Sequence, residues 1–332
     1  MHNPRISIAL CTFNGARFLP EQLASIATQT RLTDELIVCD DHSTDDTIAI
    51  INKFASHAAF PVRVFVNEQT LGSTKNFEKA IGLCKGSVIV LSDQDDVWFS
   101  HKLARIDAAF SESPTIEAVF SDAEMVNKRL EPLGVRLWEA VRFTPSQQKA
   151  FAQGRTIKVL LKHNVVTGAT LAFRAEDRAL VLPIPDGWVH DAWIALLIAA
   201  TTELEMLPEP LVKYRQHIGQ QLGAPKRSLR RRWQLAQETS AKNYLQIAAQ
   251  YEVARARLAS LPAGRCRAEA LQLLEEKVQH FRWRAGLPRG KLTRLPMILS
   301  ELVAGRYHCY SNGWTSAAKD LCLWVDQMPP AA

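Results

Sequence analysis

Over the first 120 residues, short β-branched apolar runs alternate with segments whose apolar positions recur at helical spacing. "RISIALC" (residues 5 to 11) predicts a strand, and Pro20 then opens a helix with Leu19, Leu23, Ile26 and Ala27 on one face. "ELIVCDD" predicts a second strand. The following "HSTDDTIAIINKF" predicts a helix, with Ser43 and Asp46 as its cap and Ile48, Ile51 and Ala55 as its stripe. "VRVFVN" and "SVIVLSD" predict two more strands. Each is followed by a helix, one through Phe77, Ile81 and Cys84 and one that starts at Ser100 and runs through Leu103, Ile106 and Phe110. Continuously apolar strands that alternate with helices predict an α/β chain with a mostly parallel sheet covered on both faces.

Beyond "EAVFSD" the pattern loosens, and residues 122 to 163 read as polar and mixed. "NVVTGATLAFR" returns as a strand, "HDAWIALLIAA" as a buried helix, and "EPLVKYRQH" as a last strand that gives way to a loop. From Pro225 onward helical periodicity dominates, with Leu229, Trp233 and Ala236, then Leu245, Ala248 and Tyr251, marking one face. The boundary between a catalytic domain (residues 1 to 224) and a helical C-terminal region (225 to 332) is expected near Gly223 to Lys226.

The chain has 332 residues, 47% of them hydrophobic, enough for a sizeable core. Its net charge of +6 is uneven: residues 226 to 332 hold 18 Lys/Arg against 8 Asp/Glu, and the remainder is slightly acidic. The six cysteines form no Cys-x-x-Cys pair and sit mostly among apolar neighbours, which favours a reducing compartment. The N-terminal residues lack a signal-peptide pattern, and the longest apolar run, "AWIALLIAA", falls well short of a membrane span. A cytoplasmic protein is expected, able to attach peripherally to the inner face of a membrane.

Candidate chemistry gathers where strands end. Ligands of open α/β sheets bind beyond the carboxyl ends of the strands, and two strands here end in acid, "IVCDD" with Asp40 and Asp41, and "VLSDQDD" with Asp93, Asp95 and Asp96. Positions i and i+2 of an extended chain point the same way, so Asp93 and Asp95 can converge while Asp96 faces elsewhere. A hard divalent cation, Mg²⁺ or Mn²⁺, explains such a gathering, and a cation held by few carboxylates completes its shell with water and phosphate. A solvated acidic loop is the plainer reading. An EF-hand loop fails, because its sixth position would be Trp98 instead of Gly and its twelfth Ala104 instead of Glu. A phosphotransferase of the haloacid-dehalogenase kind, with Asp93 as nucleophile, fits "DQDDV", but its motif belongs on a first strand and here three strand–helix units precede it.

Taken in order, "SIALCTFNGARFLPEQLASIATQT", "ELIVCDDHSTDDT", "NEQTLGSTKNFEKAI" and "SDQDDVWFSHKL" resemble glycosyltransferase family 2 on a GT-A fold, over about residues 5 to 110. "SDQDDVW", with "HDAW" and "YRQH" downstream, is further similar to bacterial rhamnosyltransferases of O-antigen and other cell-surface polysaccharides. The resemblance implies that Thr12, Phe13 and Asn14 line a nucleotide pocket, that Asp40 and Asp41 hold base and ribose, and that Lys75 and Asn76 line the donor site. It also implies that Asp93 approaches ribose and the metal's water shell, and that Asp95 ligates Mg²⁺ or Mn²⁺ on the diphosphate. His42 stands where Gly is commoner in this pattern.

Transfer from a nucleotide sugar, dTDP-rhamnose or a UDP-sugar, needs the departing diphosphate neutralised and a base for the acceptor hydroxyl. One displacement inverts the anomeric centre. Asp191 in "WVHDAWIALL" is the candidate base, with a helix-start residue serving backbone N–H groups as its structural alternative. Arg215 and His217 of "KYRQH" are implied to belong to a loop that closes over the donor diphosphate. His190 fits either a supporting role beside Asp191 or simple packing, and Trp98 a pocket wall or core filler. The basic "KRSLRRRWQL" (226 to 235) suits an anionic membrane surface, to which a lipid-linked saccharide acceptor would give a purpose, or else a solvated helix start, and the aromatic "YHCYSNGWTSAAKDLCLWV" after it suits packing on the catalytic domain or the same surface. No reader motif for nucleic acid accompanies that charge.

Overall fold

The computed structural model describes residues 4–217, 241–288 and 290–322. These fall into two compact units. One comprises the described residues up to Gly154 together with Val165 onward to His217. The other comprises Arg155–Asn164 with the described residues beyond position 240. The expected boundary near Gly223 to Lys226 and the segment "KRSLRRRWQL" lie outside the described residues.

The first unit is a nine-stranded mixed sheet. Its strands are β1 (Ile6–Thr12), β2 (Glu35–Asp40), β3 (Val62–Val66), β4 (Val88–Ser92), β5 (Val97–Trp98), β6 (Ile116–Asn127), β7 (Pro132–Arg136), β8 (Leu171–Arg174) and β9 (Glu203–Gln216). They lie in the order β3-β2-β1-β4-β8-β6-β9-β5, with β7 on β6. The first four strands are mutually parallel, β8 runs antiparallel to both β4 and β6, and β9 returns parallel to β6. Every residue of β1, β2 and β4 is buried, as strands covered on both faces require. Thr12 pairs with Asp40 and Leu10 with Ser92, so β1, β2 and β4 end at one edge, and the loops carrying "FNG", "DHS" and "DQDD" leave side by side.

Three details differ from the sequence expectations. The helix Thr47–Ala55 takes no cap from Ser43, whose hydroxyl instead donates to Asp40. Residues 122 to 163 are well structured, since β6 continues to Asn127, β7 follows, and helices span Leu137–Ala140, Pro145–Ala152 and Thr156–Lys162. Their apolar positions are spread over elements too short to show a period. Finally, "KYRQ", which the resemblance implied to be a closing loop, is strand as the residue pattern predicted: β9 reaches Gln216, paired with β6 on one side and, around Lys213, with β5 on the other. The helix His190–Thr201 is buried along nearly its whole length.

In the second unit the helices Ala241–Ala259 and Ala268–Ala285 pack through Ala241, Tyr244, Ala248, Val278, Phe281 and Ala285. Leu245, read as part of the apolar face, is exposed, because the buried stripe runs one residue earlier through Tyr244. Three further helices, Lys291–Val303, Arg306–Tyr310 and Trp314–Cys322, close this unit around a buried Asp320, which accepts hydrogen bonds from Arg284, Tyr244 and Tyr307.

Candidate active site

Two of the acids at the strand ends shape the rim of the site. Asp40 is fully buried and accepts from the Thr12 hydroxyl at 2.7 Å, the Ser43 N–H at 2.8 Å and the Ser43 hydroxyl at 2.6 Å. Ser43 Oγ in turn accepts the Asn14 N–H at 2.8 Å, and Asn14 Oδ1 accepts the Thr44 N–H at 2.9 Å. Asn14 and His42 both adopt left-handed backbone, with φ of 47° and 68°. Asn and His tolerate that region better than most residues, so His42 makes the turn where glycine is commoner. Asp41 accepts from Asn67 Nδ2 at 2.8 Å, Leu71 N at 2.7 Å and Gly72 N at 2.8 Å, tying the loop after β3 to the end of β2. Asn76 is buried between the Cys39 carbonyl and Asn67. Lys75 donates to the Ile184 carbonyl at 2.6 Å and pairs with Glu78 at 3.0 Å. Phe13 stands out from this rim, 44% exposed.

The loop after β4 is held from both sides. Gln94 clasps the Phe13 backbone, accepting its N–H at 2.8 Å and donating to its carbonyl at 3.0 Å. Arg215, 1% exposed, donates through Nε to the Asp95 carbonyl at 2.6 Å and through Nη1 to the Lys128 carbonyl at 2.8 Å. Its Nη2 meets the Glu21 carboxylate, and its guanidinium lies 4.5 Å from the Phe18 ring centroid. The arginine implied to close over a diphosphate is thus a buried strut of β9 beneath the "DQDD" loop. His217, one residue beyond the strand, places Nε2 2.7 Å from Asp95 Oδ2 and its ring against Phe18.

Asp93 carries the electrostatic signature of the site. Burial, and then the charges of Asp95 and Asp191, push its carboxyl up to about 7. The same three acids, with Asp96, push up the buried Tyr214 hydroxyl behind burial itself. Asp93, Asp95 and Asp191 therefore share one electrostatic neighbourhood, although about 100 residues of chain separate the first two from the third. Asp96 turns inward, accepts the Arg215 N–H at 2.9 Å and leaves Oδ2 without a hydrogen-bond partner among the described residues. Beneath it Lys102 is fully buried, donates to the Ala169 carbonyl at 2.7 Å and lies 3.8 Å from the Trp98 ring centroid. Burial lowers its ammonium to about 7, against the pull of Asp96 and Asp93.

Asp191 opens the helix His190–Thr201 and is held by N–H groups of Gly168, at 3.0 Å, and Ala192, at 2.5 Å. His190 stacks on Phe77 at 4.1 Å, and a Cβ on Gly168 would come within 2.5 Å of its Nε2. The imidazole thus fills the space over Gly168 while Gly168 holds Asp191. Trp193 donates to the Val181 carbonyl and sets its ring 5.3 Å from Trp188. Beside this helix a cleft of about 410 Å³ lies between Leu71–Lys75 and Pro185–Val189.

Among the described residues, no group of three or more His, Cys, Asp or Glu is arranged as a metal cage. The donor set nevertheless suits Mg²⁺ or Mn²⁺ at a phosphate. Such ions use one or two carboxylates and take the rest of their shell from water and ligand, and Asp93 and Asp95 supply two hard oxygen donors.

Sequence reasoning did not single out Gln94, Lys102, Glu21 or Gly168. Glu21 reads as an ordinary residue of a first helical turn, and Gln94 as a spacer between acids. Gly168 carried the one available signal, since a glycine inside a strand-like run often marks close backbone approach.

A sheet of this order, with Asp-x-Asp after its fourth strand, is a GT-A-like fold. Residues 7–175 match the family model described as Glycosyl transferase family 2, and the chain belongs to that family. A curated relative from Escherichia coli, the UDP-Glc:alpha-D-GlcNAc-diphosphoundecaprenol beta-1,3-glucosyltransferase WfgD, is 25% identical over 122 residues, covering 37% of this chain and 47% of that one. Among solved structures, S. aureus TarS 1-349 in complex with UDP-GlcNAc superposes with a TM-score of 0.58 at 16% identity, over 94% of this chain and 79% of TarS. The mannosyltransferase PcManGT from Pyrobaculum calidifontis, in complex with GDP-Man and Mn²⁺, superposes with a TM-score of 0.51 at 19% identity, over 97% and 86%. The chain spans between 34% and 59% of the length of the first curated relatives it matches.

Proposed function

We propose that this chain is a metal-dependent, inverting glycosyltransferase that moves a sugar, L-rhamnose from dTDP-L-rhamnose, to a lipid-linked or polysaccharide acceptor. The observation that supports the transferase reading is that the charges of Asp95 and Asp191 both act on Asp93. Metal-binding carboxylates and a candidate base belong together only if leaving group and nucleophile meet there. In this reading Asp93 and Asp95 hold Mg²⁺ or Mn²⁺, which when bound neutralises charge on the departing diphosphate. Asp191 accepts the proton of the acceptor hydroxyl as its oxygen attacks the anomeric carbon from the face opposite the leaving group. Two backbone N–H groups hold the Asp191 carboxylate in place. Phe13, exposed on the clasp made by Gln94, is available to stack on the nucleobase.

A UDP-hexose donor is the second reading, favoured by the UDP-sugars in the names of WfgD and of the TarS complex. WfgD's diphosphoundecaprenol acceptor supports a lipid-linked one here. Intact acids at positions 93, 95 and 191 speak against a sugar-nucleotide-binding module without turnover. A thermal-shift panel of UDP, dTDP, GDP and CDP, each with and without Mn²⁺, tests the assignment, because a ligand of the native state raises its stability. A Mn²⁺-dependent shift selective for dTDP is expected. A UDP-selective shift replaces rhamnose, and no shift with any nucleotide refutes the transferase reading.

A further inference from the structure

The helix Lys291–Val303 is inside out. Its buried face carries charge: Arg294 donates to the Asp320 carbonyl at 2.6 Å, and Glu301 meets His280 at 3.0 Å and also Arg306. Ile298 is the apolar residue buried between them. Its outward face is apolar. Leu292, Leu295, Pro296, Leu299 and Val303 follow helical spacing along one ridge, with Leu292 89% and Val303 90% exposed and Leu295 and Leu299 close to half. Scattered exposed leucines are ordinary, but an unbroken apolar ridge on a helix that buries Arg294 and Glu301 marks a surface that is covered in use.

The charge around the ridge selects what covers it. Among described residues 290 to 322 the two acids, Glu301 and Asp320, are both buried, whereas Lys291 and Arg306 are exposed. Arg306 pairs with Glu301, which leaves Lys291 as the outward charge at the start of the ridge; it is basic, which a second copy of the same face would repel and an anionic surface would attract. Trp314, 67% exposed, begins the helix packed against this one, and tryptophan favours the boundary between headgroups and acyl chains. No helix among the described residues is long and apolar enough to cross a membrane. A helix of 13 residues, about 20 Å long, can instead lie in the plane of the surface.

We propose that Lys291–Val303 is an interfacial anchor whose Leu292–Leu295–Leu299–Val303 ridge seats in the headgroup boundary of an anionic bilayer. This contact is separate from the basic segment at 226 to 235 and independent of the transferase reading.

The test is co-sedimentation of the full-length chain with vesicles of phosphatidylglycerol and phosphatidylethanolamine, against vesicles of phosphatidylcholine alone. Wild type is expected to partition to the anionic vesicles, and Leu292→Gln/Leu299→Gln/Val303→Gln to lose about tenfold or more of that partition. The replaced side chains are exposed, so the variant's unfolding temperature and nucleotide-induced shift should match wild type. If both proteins lack a nucleotide shift, the transferase reading fails while the vesicle result still decides the anchor. The anchor is overturned if wild type ignores anionic vesicles, or if the triple variant binds them as wild type does. It is also overturned if light scattering shows wild type to be an oligomer that the variant breaks, which would make the ridge a protein interface.

Discussion

Arg215 separates two accounts of the same residue. As a cation over the donor diphosphate it would matter for turnover and little for folding, whereas the structure makes it a strut. Arg215→Lys keeps the charge but replaces a planar fork with a single ammonium that cannot span the Asp95 carbonyl, the Lys128 carbonyl and the Glu21 carboxylate together. Two carbonyls lose a charged partner, at about 1–3 kcal/mol each when a polar group is left unsatisfied. Glu21 is half exposed and returns to water at small cost. The expected loss is about 3 kcal/mol, at the low end of what breaking a buried ion pair costs. For a domain of roughly 200 residues that lowers Tm by about 6–12 °C. Differential scanning calorimetry of the apo protein measures it. Arg215→Met should lose at least as much. If instead Arg215→Lys melts within about 1 °C of wild type while the donor KM rises, the strut account is wrong and the residue meets the donor.

Other expectations follow from the same geometry. Asp191→Asn should lower kcat by about 10²–10⁴-fold while the nucleotide-induced thermal shift persists, as loss of a general base requires; near-normal turnover would remove Asp191 from that role. Asp95→Asn should abolish the Mn²⁺-dependent part of that shift, and EDTA should do the same to wild type. Gly168→Ala would drive a methyl group against the His190 ring and disturb the N–H that holds Asp191, so transfer should fall while donor binding remains. Burial holds His190 neutral, down to about 3. A histidine so depressed contributes stability above its ordinary value near 6.5 that is lost progressively as pH falls from there toward 3. His190→Phe, which keeps the stack on Phe77, should therefore flatten the decline of Tm between pH 6.5 and pH 4 relative to wild type.

The alternation of apolar strands with helical periods, the acids at the tips of β2 and β4, and the Asp-x-Asp spacing are local properties, and they made the α/β class and one edge of the sheet legible from residues alone. A strand buried on both faces must be apolar throughout, and a residue two positions from another on an extended chain must point with it. Where elements are short or long in loop, as in residues 122 to 163, too few positions remain for a period to show.

What only the tertiary structure decided is which protein partners each of these side chains meets. Asp40, Asp41, Asn76 and Arg215 resemble ligand-binding residues in sequence, yet each is engaged by protein donors or acceptors set by register: Thr12 beside Asp40 across β1 and β2, and Arg215 beside Val126 across β9 and β6. The proximity of Asp191 to Asp93 depends on a mixed sheet that brings distant segments to one edge. Lys102 is equally unreadable in sequence, because a lysine at the start of a helix looks solvated until Trp98 and Ala169 close over it. The same holds in reverse for the Lys291–Val303 helix, where packing around Asp320 and His280 draws Arg294 and Glu301 inward and leaves Leu292, Leu295 and Leu299 facing out. Sequence fixes which residues can share a face, and the competition among buried partners decides which face goes inside.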